Sequence, residues 1–163
     1  MRLRLRPFVA GDLDALHQLW TDPEVRRYLW DNIEIDRDRA EAVLAESSEF
    51  FRSRGFGLWS VFFKENQDDL IGFCGLRVFG DPDDVEILYG IHPSHWGQGL
   101  ATEASEAVLN FGFQTCGLNK IYAGADAPNA ASFRVMEKLG MTYDGPRVVN
   151  GMEAVYYCLN NPT

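Results

Sequence analysis

An α/β fold, with helices packed on a mixed and mostly antiparallel sheet, is predicted by three features of this 163-residue sequence. Three β-rich runs follow one another between residues 57 and 91, separated only by short polar or glycine-containing segments, as in an antiparallel meander. A glycine loop and an apolar-striped helical segment then lead into another β-rich run, which reads as a locally parallel strand–helix–strand unit. Two last β-rich runs flank Asn150-Gly151, a dipeptide suited to a tight hairpin.

Taken in order, arginine and leucine alternate over residues 3–6, the first strand. A helical stretch follows Gly11-Asp12 with Leu13, Leu16, Leu19 and Trp20 on one face, and Asp22-Pro23 breaks it. A short helix is expected over about residues 23–28. A longer one covers about 36–54, with Ala40, Val43, Leu44 and Phe51 near helical spacing and Gly55 as its stop. The runs 57–63 and 70–79 enclose the polar segment 64–69, which suits a hairpin loop, and 80–84 precedes the third run, 85–91. A helix over about 99–114 places Leu100, Ala104, Ala107, Val108 and Phe111 along one face. Residues 119–124 form a strand, and Ala127-Pro128-Asn129 opens a helix that ends at Leu139-Gly140. Strands over about 141–148 and 153–159 complete about seven. With no repeat, low-complexity segment or linker, one domain over 1–163 is expected.

Composition narrows the function. A chain of this length with 46% hydrophobic residues can bury a core and still shape a cleft. Its 15 Lys and Arg against 24 Asp and Glu give a net charge of −9, a field that repels phosphate backbones and attracts cations. Nucleic acid is thereby excluded as the expected partner. Cys74, Cys116 and Cys158 are few, odd in number and far apart, which fits a reducing, cytoplasmic setting. No apolar run approaches the roughly 20 residues that span a bilayer, and the basic N-terminus lacks the apolar stretch of a signal peptide, so no membrane association is expected.

The segment from His92 to Ala104 carries most chemical information, because it sets Gly97 and Gly99 between a strand and an amphipathic helix. Glycines there can turn successive N–H groups toward one point, and the helix N-terminus adds unpaired donors and partial positive charge, a setting for pyrophosphate. A Walker loop fails for want of Gly-Lys-Ser/Thr. A dinucleotide fold matches Gly97-x-Gly99 but has Thr102 for its third glycine and an antiparallel meander upstream. A plain turn is the other alternative.

The surroundings add specificity. Gly-x-Gly-x-Ala-Thr-Glu-Ala over 97–104 resembles the acetyl-CoA-binding core of the GNAT N-acetyltransferase superfamily, and within it the branch of ribosomal-protein N-terminal acetyltransferases. Further matches are Arg4-Leu5-Arg6-Pro7-Phe8 with Asp12 and Asp22-Pro23-Glu24-Val25, and Gly72-Phe73-Cys74-Gly75-Leu76. The run 85–91 resembles the family's central strand, and 129–141 its second cofactor segment. The resemblance covers most of the chain. It implies the GNAT acyl-CoA N-acyltransferase fold and transfer of an acetyl group from acetyl-CoA to an amine by direct attack, with no metal.

Residue by residue, the resemblance implies that backbone amides of Gly97, Gln98, Gly99, Leu100, Ala101 and Thr102 hold the pyrophosphate. Trp96 stands where the family usually has Gln or Arg. Ile91 and its neighbours offer backbone groups to the pantetheine arm between two splayed parallel strands. Asn129 resembles the asparagine that bonds that arm, and it is equally suited to be a helix N-cap. An amine with a pKa of roughly 10 must lose a proton before attack, and Glu86, on the strand bordering the acetyl group, is the candidate base. Its alternative is a solvent-facing strand residue beside Asp83 and Asp84. Many relatives donate a proton to sulfur from a tyrosine where this chain has Met136. Ser132 is the candidate replacement and Tyr89 the reserve, although a helix hydroxyl and a packing residue are their alternatives. Trp30 is a candidate substrate contact, with Trp20 and Tyr28 as further aromatics that serve the acceptor mouth or the core.

The expected acceptors are a protein N-terminus or a small cationic amine. The alternative is a non-catalytic CoA-binding sensor or interaction domain, kept open by Met136. His92-x-x-His95 has metal-like spacing but flanks Pro93 without a third ligand, and Cys74 reads as a small buried hydrophobe. Terminal strands in this architecture can join a neighbouring subunit, which leaves room for a homodimer.

Overall fold

Side chains that alternate between the two faces of one sheet, with period two, organise the computed structural model of the chain, which describes residues 1–149 and 151–162. Seven strands form one sheet: β1 (Leu3–Pro7), β2 (Leu58–Phe63), β3 (Asn66–Phe79), β4 (Asp81–Ile91), β5 (Lys120–Ala125), β6 (Thr142–Val149) and β7 (Met152–Asn160), in spatial order β1-β2-β3-β4-β5-β7-β6. All neighbours are antiparallel except β4 and β5. The helices are α1 (Leu13–Thr21), α2 (Pro23–Arg26), α3 (Arg37–Arg54), α4 (Leu100–Asn110) and α5 (Ala130–Lys138).

One face of the sheet packs on α4. There Val61, Cys74, Leu76, Val85, Ile87, Ile91 and Ile121 meet Leu100, Ala104 and Val108. The other face carries α1 and α3 over the first half of the sheet, where Leu58 and Phe73 meet Leu16, Leu19, Trp20, Ala40, Val43 and Leu44. The period therefore assigns Leu88 and Glu86 to the α1–α3 face. A bidentate pair ties β1 to the start of α1, with Arg6 Nη1 and Nη2 at 3.0 and 2.9 Å from the two Asp12 carboxylate oxygens. Val9 N–H and the Ser60 hydroxyl also donate to Asp12, and these bonds outweigh its burial to hold the carboxyl below the usual range.

Three boundaries differ from the sequence expectation. The loop between β2 and β3 is two residues, Lys64 and Glu65, not 64–69, because Asn66 to Asp69 are exposed and need only backbone partners to extend the strand. Likewise β4 begins at Asp81 rather than Val85, past a register shift between Val78 and Phe79. In α4 the buried stripe is Leu100, Ala104, Ser105, Val108 and Leu109, not Ala107, and its end relaxes into a π-helical turn over Phe111–Thr115. The last hairpin turn involves Asn150, which lies outside the described residues.

Candidate active site

Two cavities meet along β4. The larger, about 700 Å³, runs from Tyr89 and Ile91 past the glycine loop to α5. The smaller, about 320 Å³, lies between β4, the end of β5 and the α2–α3 region. Both are lined by Tyr28, Leu29, Tyr89, Asn129 and Ser132, so those residues form the junction.

The larger cavity is built from backbone. Gly97 and Gly99 hold φ of 77° and 75°, the left-handed region in which a side chain is strained. A Cβ on Gly97 would meet nothing within 4 Å, and one on Gly99 only Arg2 Nη2 at 3.9 Å. Conformation rather than packing therefore requires glycine, and the open space suits an anion at the α4 N-terminus. Arg2 steadies the loop by donating from Nη2 to the Gln98 carbonyl (3.0 Å) and pairing through Nε with Glu103 (3.4 Å). Removing this brace in Arg2→Ala is expected to weaken acetyl-CoA binding about 5-fold in calorimetric titration while leaving the fold intact, since a charged hydrogen bond at an exposed site is worth a modest factor.

His92 N–H donates to Ile71 O at 2.8 Å across the β3–β4 ladder. Strand alternation then turns the N–H and C=O of Tyr89 and Ile91 toward β5. Yet β4 and β5 share one register pair among the described residues, Glu86 with Tyr122, so Tyr89 and Ile91 face a gap. The Ile91 carbonyl is occupied there: Trp96 Nε1 donates to it at 2.6 Å. The departure at Trp96 thus caps one strand carbonyl and leaves the ring, 52% exposed, as a wall of the cavity. Arg27, Arg134 and Lys138 line it too, a local cationic set in an acidic protein.

The smaller cavity is aromatic and acidic. Trp30 lines it, packed on Trp20 (5.8 Å between centroids) with the Arg39 guanidinium 5.6 Å from its ring. Trp20 itself is core, at 1% exposure, although its edge reaches the lining. Of the carboxylates present, Glu46 pairs with Arg39 and Glu86 with Arg77. Asp31 and Asp126 are in no ion pair among the described residues. Partial burial and the Asp31 charge push the Asp126 carboxyl up.

Glu86 is 3% exposed, which overturns the solvent-facing alternative: β4 is central in the sheet, and Arg77 from the paired strand packs against the carboxylate. Burial pushes its carboxyl up, while Arg77 Nε, 2.7 Å away on the paired strand, and the Tyr156 hydroxyl oppose the rise. Ser132 Oγ lies 2.8 Å from the Tyr89 hydroxyl, which also reaches the Ser132 carbonyl at 3.1 Å. When the phenol donates to Ser132 Oγ, the Ser132 Oγ–H is free to donate elsewhere. Burial pushes the Tyr89 phenol up to about 12, so it stays protonated. Asn129 Oδ1 accepts from Ser132 N–H at 3.2 Å, an N-cap, while its side chain also sits at the junction.

Leu100, Ala101 and Thr102 line the larger cavity, Leu100 with its side chain buried in the core. Gln98 does not line it, because its carbonyl turns outward to Arg2. Met136 is wholly buried and faces neither cavity. His92 caps its own turn, its Nδ1 accepting from Ser94 N–H. Among the described residues, no group of three or more His, Cys, Asp and Glu side chains could hold a metal ion. The sequence reading missed Arg2, Arg27, Asp31, Arg77, Asp126, Arg134, Lys138 and Tyr156. Arg134 and Lys138 lie inside the segment 129–141 that the resemblance singled out, and Asp126 lies three residues before Asn129.

One arm of the cleft thus offers a helix N-terminus that suits an anion, and the other a buried carboxylate. The sequence model of the acetyltransferase (GNAT) domain family matches residues 2–142, and the chain belongs to that family. It is 30% identical over 145 residues to the uncharacterized N-acetyltransferase p20 of Bacillus licheniformis, covering 88% of this chain and 81% of that protein. It is 26% identical over 144 residues to the spermidine N(1)-acetyltransferase of Escherichia coli K12, covering 88% and 74%. The fold matches that of RimL, a ribosomal L7/L12 alpha-N-protein acetyltransferase solved with coenzyme A, at a TM-score of 0.80 and 18% identity over 98% and 94% of the two chains. The protein is an acetyl-CoA-dependent acetyltransferase.

Proposed function

We propose that the chain, acting as one domain, acetylates the primary amine of a small cationic acceptor, with a protein N-terminus as the other acceptor class. The observation that carries this reading is the meeting of the two cavities at Tyr89, Asn129 and Ser132, with the acceptor arm ending in two carboxylates, Asp31 and Asp126, that lack a cation. An ammonium group supplies one. The spermidine N(1)-acetyltransferase relative supports the first acceptor class, and RimL supports the second.

The glycine loop, the α4 N-terminus and the gap beside Tyr89 and Ile91 fit acetyl-CoA, which when bound supplies an activated acetyl thioester. The Gly97, Gly99, Leu100, Ala101 and Thr102 backbone holds phosphate, and Arg27, Arg134 and Lys138 add charge. Ile91 N–H and the Tyr89 backbone orient the arm, with the Asn129 side chain beside it. Trp30 and the neighbouring aromatics exclude water from the acceptor arm. Glu86 takes the proton from the acceptor ammonium, directly or through water. Ser132 Oγ holds a proton at the junction, its orientation set by Tyr89. The three free cysteines support a cytoplasmic, reducing setting.

The test is acetyl transfer, followed by free thiol release, to a panel of spermidine, putrescine, free amino acids and basic or acidic N-terminal peptides. Preference for dicationic amines, reduced at least 10-fold in Asp126→Asn, is the expected result. Equal use of acidic N-terminal peptides by both proteins counts against the cationic acceptor.

A further inference from the structure

The row of side chains that crosses the sheet at Glu86 contains a tyrosine that the transfer reaction above does not use. Arg77 on β3 pairs directly with Glu86 on β4, and Glu86 with Tyr122 on β5. Two residues on, Gly124 pairs with Tyr156 on β7, which places the Tyr156 side chain on the same face. A Cβ on Gly124 would lie 2.5 Å from Tyr156 Cε1 and Cζ, so the ring lies directly across the glycine. Only an absent side chain on β5 lets a residue of β7 reach over one strand toward β4.

The ring is fixed on its remaining sides. It stacks on Phe79 with centroids 5.2 Å apart and planes 3° from parallel. The Arg147 guanidinium sits 5.7 Å from its centroid and 4.5 Å from that of Tyr122. Arg147 is in turn held by Asp84 and Asp144. Tyr156 is 5% exposed, and it lines the acceptor cavity together with Glu86. Its phenol is pushed up to about 12 by burial and by the Glu86 charge, so the hydroxyl keeps its proton and can only donate toward the carboxylate.

Resting on the reading of Glu86 as the base, we propose that Tyr156 is a positioning residue whose hydroxyl holds the Glu86 carboxylate ionised and turned to the acceptor cavity, and that Gly124 exists to admit its ring. Arg77 Nε bonds the carboxylate from the β3 side at 2.7 Å, and the Tyr156 ring approaches it across Gly124 from the β7 side. The other titratable or charged groups around Glu86 are Tyr122 on β5 and Arg147 on β6. Arg39 and Glu46 of α3, with Asp126 beyond β5, lie across the cavity. Arg39 and Glu46 offset one another, which leaves Arg77 and Tyr156 as the groups that favour the ionised form.

The experiment is a carbon-13 NMR pH titration of the Glu86 carboxyl in protein without ligand, its resonance identified by its loss in Glu86→Gln. In Tyr156→Phe, which keeps the ring and its stack, the titration midpoint is expected to rise by about one pH unit, the usual scale for losing a hydrogen bond to the charged form. Gly124→Ala keeps the hydroxyl but displaces it, and the midpoint is expected to move in the same direction. A Glu86 midpoint in folded Tyr156→Phe that coincides with wild type overturns the proposal. The base reading fails by a different result: Glu86→Gln that acetylates spermidine at the wild-type rate, whatever the NMR titration shows.

Discussion

Glu86→Gln is expected to lower kcat by about 10²–10⁴-fold at neutral pH, the range over which a positioned general base contributes, with the fold intact. Stability and activity should separate because of where the partners lie. The Arg77 side chain is 50% exposed, so it rehydrates when its carboxylate partner becomes an amide. The sign of the pKa shift points the same way. An acid whose folded value is raised binds its proton more tightly in the native state, so its ionised form opposes folding as pH climbs through that raised value. Glutamine removes that opposition. Thermal melts at neutral pH should therefore show Glu86→Gln at or slightly above the wild-type midpoint, while steady-state assays show the loss. A parallel fall in both would assign Glu86 to the architecture alone.

The second large effect falls on the donor arm. Gly99→Glu is expected to reduce acetyl-CoA affinity by more than 100-fold in calorimetric titration, because two penalties coincide. A non-glycine residue at φ 75° costs about 1–3 kcal/mol of local strain, and the new carboxylate stands at the helix terminus where phosphate must sit. Gly99→Ala separates them, since it carries the strain without the charge and should keep most of the affinity. Circular dichroism of each variant monitors the fold, and NAD serves as the control ligand. Unchanged acetyl-CoA binding by Gly99→Glu would remove the loop from the cofactor site.

How much of this was legible in the sequence follows from the range over which each interaction acts. Helix faces such as Leu16, Leu19 and Trp20, and the glycine loop itself, are written locally and were readable. So was Ser132 at the junction, though only through the resemblance. Residues that act across the sheet were not. Tyr156 is separated from Glu86 by 70 positions, and nothing near Gly124 in the chain says that its missing side chain makes room for a ring. Arg2 reads as part of an alternating strand, and its grip on the Gln98 carbonyl emerges only when β1 lies beside the α4 loop. The solvent-facing alternative for Glu86 was likewise removed only by burial, a property of the packed sheet that neighbouring aspartates in the sequence obscured. Asn129 differs, since its side chain caps α5 and also lines both cavities.

The single pairing of β4 with β5 divides the sheet into a four-strand half and a three-strand half joined by one rung. In mechanical terms it is a seam, and the residues proposed for the site lie on both sides of it: Glu86 and Ile91 on one, Gly124 and Tyr156 on the other. On the proposed cofactor reading, a ligand lodged in the gap acts as a stitch, adding hydrogen bonds between halves where the chain supplies few. Occupancy then contributes to the cohesion of the whole molecule by mass action, about 2.7 kcal/mol when ligand stands at 100 times its dissociation constant. A bound cofactor would thereby make this protein sturdier at work than at rest.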